Sequence, residues 1–367
     1  MDVLIVGAGI AGASLAAALG PRRKVLLVEA EAQPGYHSTG RSAAFWHEGY
    51  GGPLVAPLSR ASHPLLEAGG YLRRRGALHL ARAGEPIALV EGCRADPLRR
   101  EALERWLPGL DPQWQHGLYE AGLADIDVAR LHGDFLAAAR RSGVEVRTDA
   151  AFKEARRTAG GWAVTLEDGA MLSAAMLVDA AGAWADEVAD RSRVRPLGLA
   201  PKRRTMVQLR VDRTGLKDLP LVIGGDGSFY FKGEGDQTLW LSPHDEIDCA
   251  PCDAAPEEID VAVALDRFAK VVDWPVLKVE RRWAGLRTFT PDRLPALGFA
   301  GDEPAFFWCA GQGGFGIQTA PAAAALGAAL ILGEGEVPAG VEASVYDPAR
   351  FGAPAKAGTS GDGAPAC

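Results

Sequence analysis

The first thirty residues alternate between apolar runs and a run of small residues. Residues 2–6 and 25–28 are short segments with almost no polar side chain, as expected for strands buried on both faces. Between them, residues 9–20 are rich in alanine and glycine and long enough for a helix. This order predicts a strand, a helix and a second strand joined by a right-handed crossover, which begins a parallel sheet.

Further along the chain the patterns become mixed. Residues 35–52 show no periodicity and are rich in Gly, Ser, His and aromatic residues, and loops of that length inside a compact domain are usually functional. The remaining patterns predict the following elements: a helix over residues 127–142 and a strand over 144–147, a hairpin of 162–166 with 171–172, a strand over 175–180, several strands within 199–281 with a helix at about 256–272, a strand over 305–310, and an alanine-rich helix from 316 to about 332.

Length and charge narrow the class of protein. A chain of 367 residues exceeds what one core usually holds, so we expect two domains. The 48% hydrophobic and 23% charged residues are ordinary for a soluble globular protein. The formal net charge of −8 argues against a nucleic-acid partner, which requires a basic face.

Membrane and export signals are not expected. No stretch reaches the roughly 18 to 20 apolar residues of a membrane span. The first apolar run follows Met1 and Asp2 without a basic region, so we interpret it as a buried strand and not as a signal peptide. Five irregularly spaced cysteines do not form a disulfide framework, and the expected compartment is the reducing cytoplasm.

Cys249 and Cys252 are the one cysteine pair with a suggestive spacing. A four-ligand zinc site would need two more ligands; His244, Asp245 and Asp253 lie nearby in the sequence, but no second cysteine pair exists. We therefore predict that both cysteines are incidental to a loop, and we predict no metal ligands.

A glycine fingerprint follows the first strand directly. Gly7 permits a tight turn, Gly9 lets the backbone approach a pyrophosphate, and Gly12 lets helix and strand pack closely. The helix N-terminus presents free N–H groups to phosphates. Glu29, at the end of the second strand, can accept hydrogen bonds from the hydroxyls of an adenosine ribose. The sequence thus predicts a dinucleotide site.

The fingerprint alone does not separate FAD from NAD. A second glycine-rich turn from strand to helix, at residues 311–316, offers an anchor for an isoalloxazine ring far from the pyrophosphate. The segment 35–44, GYHSTGRSAA, also comes soon after Glu29. Both features favour FAD, and an NAD-dependent dehydrogenase leaves the segment unexplained.

Residues 34–44, PGYHSTGRSAA, resemble the flavin-contacting loop of the FAD-dependent D-amino-acid oxidase family, and more narrowly its bacterial D-arginine dehydrogenase-like and glycine oxidase branch. The resemblance extends along nearly the whole chain, through these segments: ADID at 124–127, DAAGAW at 179–184, PLGLAPKRR at 196–204, SFYFK at 228–232, WAGLR at 283–287 and QGGFGIQT at 312–319.

The resemblance implies a fold of class α/β plus α+β. A discontinuous Rossmann-like FAD-binding domain would comprise residues 1–75, 130–198 and 282–350. A smaller substrate domain with an antiparallel sheet would comprise residues 76–129 and 199–281. Residues 352–367, rich in Gly, Ala and Pro, are expected to form a flexible tail.

The resemblance also assigns residues to the site. Arg287 would clamp the substrate carboxylate by a bidentate pair, Tyr50 and Tyr230 would add hydroxyl hydrogen bonds, and Arg204 and Gln318 match polar pocket residues. The residues expected to contact FAD are Gly7, Gly9, Ile10, Ala11, Gly12, Glu29, Ala30, His37, Ser38, Thr39, Arg41, Ser42, Ala43, Ala181, Gly182, Trp184, Gly285, Gly313, Gly314, Gly316, Ile317 and Gln318.

One departure bears on the substrate. Relatives that prefer arginine place a carboxylate in the pocket, where it meets the guanidinium of the substrate. In this chain Ala77 stands at the aligned position. Glu67 or Glu85 remains an alternative for the carboxylate. The loop also reads Phe45-Trp46-His47, with more aromatic residues than in those relatives. We therefore expect neutral or aromatic D-amino acids to be favoured over basic ones.

The expected reaction is oxidative deamination of a D-amino acid to a 2-keto acid and ammonia, with hydride transfer to flavin N5. His47 and His79 are candidate proton acceptors. The electron acceptor, oxygen or a quinone or other carrier, stays open. Some members of the resembled family attach the flavin covalently through a cysteine near the position of Arg287. Residues 286–293 contain no cysteine, so the resemblance implies non-covalent FAD. Two alternatives remain: an FAD enzyme for glycine, sarcosine, another secondary amine or a 2-hydroxy acid, and a non-catalytic flavin-binding subunit.

Overall fold

The computed structural model describes residues 1–87 and 93–352. In these residues the chain forms the following strands: β1 Val3–Val6, β2 Val25–Val28, β3 Phe45–Trp46, β4 Leu72–Arg74, β5 Ala77–Arg82, β6 Asp96–Arg99, β7 Trp114–Glu120, β8 Ala124–Ile126, β9 Glu145–Arg147, β10 Phe152–Thr158, β11 Gly161–Leu166, β12 Met171–Ala174, β13 Met176–Asp179, β14 Ala200–Val211, β15 Leu221–Gly224, β16 Tyr230–Gly233, β17 Thr238–Ser242, β18 Ile247–Asp248, β19 Val276–Phe289, β20 Ala296–Phe299, β21 Phe306–Ala310 and β22 Gln312–Gly313.

The helices lie between these strands. They are α1 Ile10–Leu19, α2 Ala56–Ala68, α3 Arg100–Trp106, α4 Val128–Arg141, α5 Ala185–Arg191, α6 Glu258–Ala269 and α7 Gly316–Leu332, with short 3-10 turns at Gly182–Trp184, Leu216–Asp218, Ala343–Tyr346 and Pro348–Phe351.

A six-stranded sheet forms the centre of the nucleotide-binding region. Its strand order is β20-β21-β13-β1-β2-β9, and every neighbouring pair is parallel except β20 with β21. Both faces of the sheet are covered, as its apolar strands predict. On one face, helices α1, α4 and α7 bury alanine and leucine side chains against the strands. The predicted strand, helix and strand at the start of the chain are confirmed.

A second, mostly antiparallel sheet covers the cavity described below. Its strand order is β22-β19-β14-β17-β16-β15-β5-β7-β6, with β18 added on β14. The long strands β14 and β19 pair from Ala200 with Phe289 to Val211 with Val276. Phe229, Phe231, Phe268 and neighbouring aliphatic residues fill the core between this sheet and helix α6. The predicted fold class is confirmed.

Several local predictions are also confirmed, with boundaries shifted by one to three residues. Helix α4 begins after Asp127, whose side chain accepts a hydrogen bond from the Arg130 backbone. Strands β11 and β12 form the expected hairpin. Helix α2 has no counterpart among the sequence-based elements, because Pro57 and Pro64 interrupt its pattern.

The predicted division into domains stays a prediction. The ten strands of the second sheet come from residues 77–120 and 200–313, and β19 crosses the predicted boundary between residues 281 and 282 without a break. Of the predicted tail, residues 353–367 lie outside the described residues. In the described part of the chain, no helix combines the length and apolar character needed to cross a membrane.

Candidate active site

A cavity of about 490 Å³ runs between the two large sheets. This volume is in the range of small-molecule and cofactor sites. At one end it is lined by residues after β1 and β2, and at the other end by residues of β14, β16, β19 and the turn before α7. The cavity therefore joins the predicted nucleotide site to the predicted substrate residues.

At the nucleotide end, glycines bring α1 close to the sheet. Gly7 has a φ of +98°, and a Cβ there would lie 2.5 Å from the carbonyl oxygen of Ala180. A Cβ on Gly12 would overlap the carbonyl oxygen of Gly7 and come within 3.3 Å of the Ala180 side chain. Gly7, Gly9, Ile10 and Ala11 line the cavity, whereas Gly12 acts behind it through packing.

The carboxylate of Glu29 is fixed at the end of β2. Its Oε2 accepts a hydrogen bond of 2.7 Å from the Ala8 backbone, and its Oε1 accepts one of 3.1 Å from the Glu31 backbone. The side chain lines the cavity beside Ala30. A carboxylate retains further acceptor capacity, so Glu29 can still bind the hydroxyls of a ribose.

The loop of residues 37–43 is tied to helix α1 and to strand β19 of the second sheet, and it lines the cavity. Thr39 Oγ1 accepts a hydrogen bond from the Ile10 backbone at 3.0 Å, and Ser38 Oγ donates one of 2.6 Å to the carbonyl of Leu286 on β19. Arg41 donates to the carbonyls of Ala254 and Ala284 and forms an ion pair with Asp253.

The remaining loop residues are also fixed by polar contacts. Ser42 Oγ accepts from the Ala44 backbone at 3.0 Å, and His37 Nε2 lies 2.8 Å from a carboxylate oxygen of Glu31. Ala43 lines the cavity. The loop thus holds a defined conformation that connects the nucleotide end with the substrate end.

The opposite wall comes from two segments far apart in the sequence. Ala181, Gly182 and Trp184 follow β13, and the Trp184 ring packs at 4.7 Å from the His37 ring. At the far end the wall consists of Gly285 on β19 and of residues at the start of α7: Gly313, Gly314, Gly316 and Ile317. The N-terminus of the seventeen-residue α7 gives this end a partial positive charge.

Arg287 lies at the substrate end of the cavity. Its guanidinium packs 5.8 Å from the ring centre of Tyr50, and a Cβ on Gly314 would lie 2.9 Å from Cζ of Arg287 and overlap the Tyr50 hydroxyl. Within the described residues, no hydrogen bond or ion pair satisfies this guanidinium, and it lines the cavity. A free guanidinium facing a cavity is suited to binding a carboxylate by two parallel hydrogen bonds.

Arg204 lies beside Arg287 on the neighbouring strand. Its Nε donates to the Asp245 carbonyl at 2.6 Å and its Nη2 lies 3.4 Å from Glu246, while its buried Nη1 has no partner among the described residues. Burial and the adjacent Arg287 charge lower the pKa of Arg204. Two neighbouring guanidinium groups with an unused donor indicate a site for an anion.

Two other predicted site residues have different surroundings from those expected. Tyr230 lines the cavity, but its hydroxyl donates to the Met206 sulfur at 3.1 Å. The buried Gln318 amide does not line the cavity: its Nε2 donates to Ser59 Oγ at 2.7 Å, and its Oε1 accepts from the His47 backbone at 3.0 Å. Gln318 therefore positions the loop that carries Tyr50.

His244 lies beside this site although the sequence did not predict it there. In the sequence it was noted only as a neighbour of Cys249 and Cys252. Its ring packs against Tyr230 at 5.5 Å, and Nδ1 donates to the Gly227 carbonyl, which leaves Nε2 as an acceptor. Met206 lines the cavity, whereas His244 lies behind Tyr230 and does not; the apolar position of Met206 in a strand gave no signal in the sequence.

The charge of His244 gives a pH-dependent prediction. Burial, followed by the Arg204 and Arg287 charges, lowers the pKa of His244 to about 4, below the usual 6.5. Between these values the unfolded chain binds a proton that the folded chain does not, so stability falls as the pH falls from 6.5 to 4. We expect His244 to contribute a loss on the order of 3 kcal/mol, measurable by urea unfolding across this range.

The matched variant is His244→Asn, because asparagine tolerates the positive φ of 55° at this position and does not titrate. The variant should lose stability less steeply between pH 6.5 and 4 than the unchanged protein. Equal slopes for the two proteins would show that His244 does not titrate as described.

The candidate proton acceptors His47 and His79 do not line the cavity. Both lie against the buried carboxylate of Glu120, at 3.0 and 3.3 Å. The sulfur atoms of Cys249 and Cys252 lie 3.5 Å apart without a disulfide, close to the Arg41 side chain. None of these groups is placed to exchange protons with a substrate beside Arg287.

The residues present fit FAD. The close approach at Gly7 and Gly9, the fixed carboxylate of Glu29 and the N-terminus of α7 match an adenosine, a pyrophosphate and an isoalloxazine in one elongated cavity. When bound there, FAD supplies a two-electron acceptor. Glu29 and the glycines after β1 would hold its adenosine and pyrophosphate, and the N-terminus of α7 would hold its isoalloxazine ring.

We expect the bound FAD to be non-covalent. Cys309 is buried in the core of the parallel sheet, and burial raises the pKa of its thiol to about 12, so that it is a poor nucleophile. Acid precipitation of the purified protein should release all flavin absorbance into the supernatant. Flavin that stays in the pellet after washing would contradict this expectation.

The chain is similar to known proteins in both sequence and fold. The family model described as "DAO: FAD dependent oxidoreductase" matches residues 2–330. The hydrogen cyanide synthase subunit HcnC of Pseudomonas aeruginosa is 27% identical over 241 residues, which cover 60% of this chain and 52% of that protein. The chain thus spans about half the length of this curated relative.

Solved structures of similar fold cover nearly the whole chain. L-proline dehydrogenase from P. horikoshii superposes with a TM-score of 0.81 at 21% identity, covering 95% of this chain and 97% of that one. Glycine oxidase from Geobacillus kaustophilus gives a TM-score of 0.79 at 22% identity, covering 95% and 98%. At these identities the likeness concerns the fold alone.

Proposed function

The chain belongs to the family of FAD-dependent oxidoreductases, and from that premise we propose that it oxidises the Cα–N bond of neutral or aromatic D-amino acids. The observation that carries the proposal is the Arg287 guanidinium, which lines the same cavity as Glu29 and has no hydrogen-bond or ion-pair partner among the described residues. A substrate carboxylate bound there would place Cα toward the site where the α7 N-terminus and Gly313 receive the isoalloxazine ring.

The surrounding residues orient the substrate. Arg287 would hold the carboxylate in a plane, and Tyr50, which does not line the cavity itself, packs against the Arg287 guanidinium. The amine loses its proton to solvent, a hydride leaves Cα, and the imino acid hydrolyses in water to a 2-keto acid and ammonia. Because the hydride acceptor is the cofactor, the side chains are required for geometry and charge more than for proton transfer.

Preference for neutral or aromatic substrates rests on the pocket wall. Ala77 does not line the cavity itself but lies in an apolar cluster with Ala43, Leu123, Met206, Leu221 and Tyr230, of which Ala43, Met206 and Tyr230 line it. The alternative carboxylates do not face the cavity: Glu85 pairs with Arg82, and Glu67 lies near Arg74 and His63. A cationic side chain would meet the charges of Arg204 and Arg287 here, and the neighbouring carboxylates of Asp245 and Glu246 already lie against Arg204.

A second candidate is supported by Arg204. Its Nη1, which has no partner in the described part of the chain, offers a place beside Arg287 for a second carboxylate, as in a secondary amine that carries two carboxylate groups. This candidate retains the cofactor and the Arg287 clamp and changes only the substrate class.

A substrate panel with an artificial electron acceptor separates these candidates. It should include D- and L-phenylalanine, D- and L-leucine, D-arginine, glycine, sarcosine, iminodiacetate and a set of 2-hydroxy acids. We expect D-phenylalanine and D-leucine to be oxidised faster than D-arginine and than their L-enantiomers. Faster turnover of D-arginine would overturn the preference, and turnover of iminodiacetate alone would select the second candidate.

A further inference from the structure

A cluster of metal-ligating side chains lies outside the cavity. His47 follows β3, Cys93 precedes β6, and Glu120 ends β7. One ligand atom from each, the ring nitrogen, the sulfur and a carboxylate oxygen, lies within 4.8 Å of the other two. Glu120 is only 4% exposed, so its carboxylate is a buried charge that needs a cationic partner.

His47 and Glu120 are close but are not aligned as a hydrogen-bond donor and acceptor, as expected for two side chains that bind the same metal ion. His47 Nε2 lies 3.0 Å from Glu120 Oε2, yet this buried nitrogen has no hydrogen-bond partner of acceptable geometry among the described residues. An unsatisfied buried nitrogen beside a carboxylate oxygen requires an explanation, and an ion between them supplies one.

His79 completes the cluster from the side. Its ring is buried, and its Nε2 lies at a hydrogen-bonding distance of 3.3 Å from the same Glu120 oxygen. A histidine in this place fixes the orientation of a ligating carboxylate, as the second layer of residues around a metal commonly does.

A nitrogen, a sulfur and a carboxylate oxygen form a donor set typical of zinc. Zinc bonds of about 2.0 to 2.3 Å in a tetrahedron place ligand atoms roughly 3 to 4 Å apart, so the present spacing requires only a small contraction. We propose that His47, Cys93 and Glu120 bind a Zn²⁺ ion, with water in the fourth position and His79 holding the carboxylate.

The proposed ion would connect three segments of the chain. His47 lies on the same loop as Tyr50, and its carbonyl accepts a hydrogen bond of 3.0 Å from the Tyr50 backbone N–H. Glu120 lies on a strand of the ten-stranded sheet. Metal binding would therefore fasten the Tyr50 loop to this sheet and raise the melting temperature. The proposal departs from the sequence-based expectation of no metal ligands, and it does not depend on the proposed substrate.

The test uses the full-length, FAD-loaded protein, treated with a chelator and then titrated with Co²⁺. We expect one equivalent to give cobalt–thiolate bands to the red of the flavin absorption and to raise the melting temperature, with Zn²⁺ displacing the bands. Cys93→Ser should abolish the bands, and His79→Gln should weaken binding by about 10- to 100-fold.

The matched control is the double variant Cys249→Ser/Cys252→Ser, which removes the other close pair of sulfurs and should retain the bands. A titration without saturable bands, or bands lost in the control and kept in Cys93→Ser, would overturn the proposal. If Cys93→Ser does not fold with FAD, peptide mapping of the unchanged protein decides: Zn²⁺ must slow alkylation of Cys93, and an unchanged rate contradicts the site.

Discussion

Replacing Arg287 with methionine is expected to lower kcat/KM for the preferred amino acid by about 10²- to 10³-fold, while FAD stays bound. Methionine keeps much of the length of the side chain but leaves the substrate carboxylate without its bidentate partner. Removing one member of such a pair in a desolvated site costs about 2–5 kcal/mol. Steady-state kinetics and the flavin content of the purified variant measure both parts of the prediction.

Arg156→Met provides the control for this substitution. Arg156 is an exposed residue of strand β10 that bonds to Glu154 and does not line the cavity. The Arg156→Met substitution should leave kcat/KM unchanged. Arg287→Lys should fall between the two, because lysine keeps the charge and loses the planar fork. An Arg287→Met variant within threefold of the unchanged protein would show that Arg287 does not bind the substrate.

Gly12→Ala is expected to remove FAD from the protein and to destabilise the fold by at least about 3 kcal/mol. The new Cβ would overlap the Gly7 carbonyl oxygen and press on the Ala180 side chain, both of which belong to the sheet side of the nucleotide site. Helix α1 can relieve the overlap only by moving away from β1, which displaces the backbone that approaches the pyrophosphate. Flavin absorbance per chain and the unfolding midpoint in urea report the effect.

The matched substitution is Gly133→Ala. Gly133 lies in the interior of α4, is exposed, and a Cβ there would meet nothing within 4 Å. Alanine should therefore stabilise the helix by up to about 1 kcal/mol and leave the flavin content unchanged. If Gly12→Ala behaved like Gly133→Ala, close packing at the glycine fingerprint would not be needed for FAD binding.

Features that depend on neighbouring residues could be predicted from the sequence. The glycines after β1, the acid at the end of β2 and the alanine-rich α7 each occur in a short pattern whose geometry is local. The fold class followed from these patterns together with the family resemblance. The predicted boundaries differ from the observed ones by one to three residues because helix and strand ends depend on caps and packing, as at Asp127.

Features that depend on contacts between distant segments could not be predicted. His244 meets Arg204 and Tyr230 only because β14, β16 and the segment after β17 come together in one sheet. Gln318 matched a family position, but its amide is satisfied by the His47 loop and by Ser59. The orientation of a polar side chain is set by such long-range partners, and these leave no periodicity in the sequence.

The anaerobic visible spectrum of the purified, FAD-loaded protein tests the central claim most directly. We expect the oxidised-flavin absorbance to bleach on addition of D-phenylalanine or D-leucine and to stay unchanged with the L-enantiomers. A flavin spectrum that no amino acid or secondary amine bleaches would contradict the claim that this chain oxidises a carbon–nitrogen bond at Arg287.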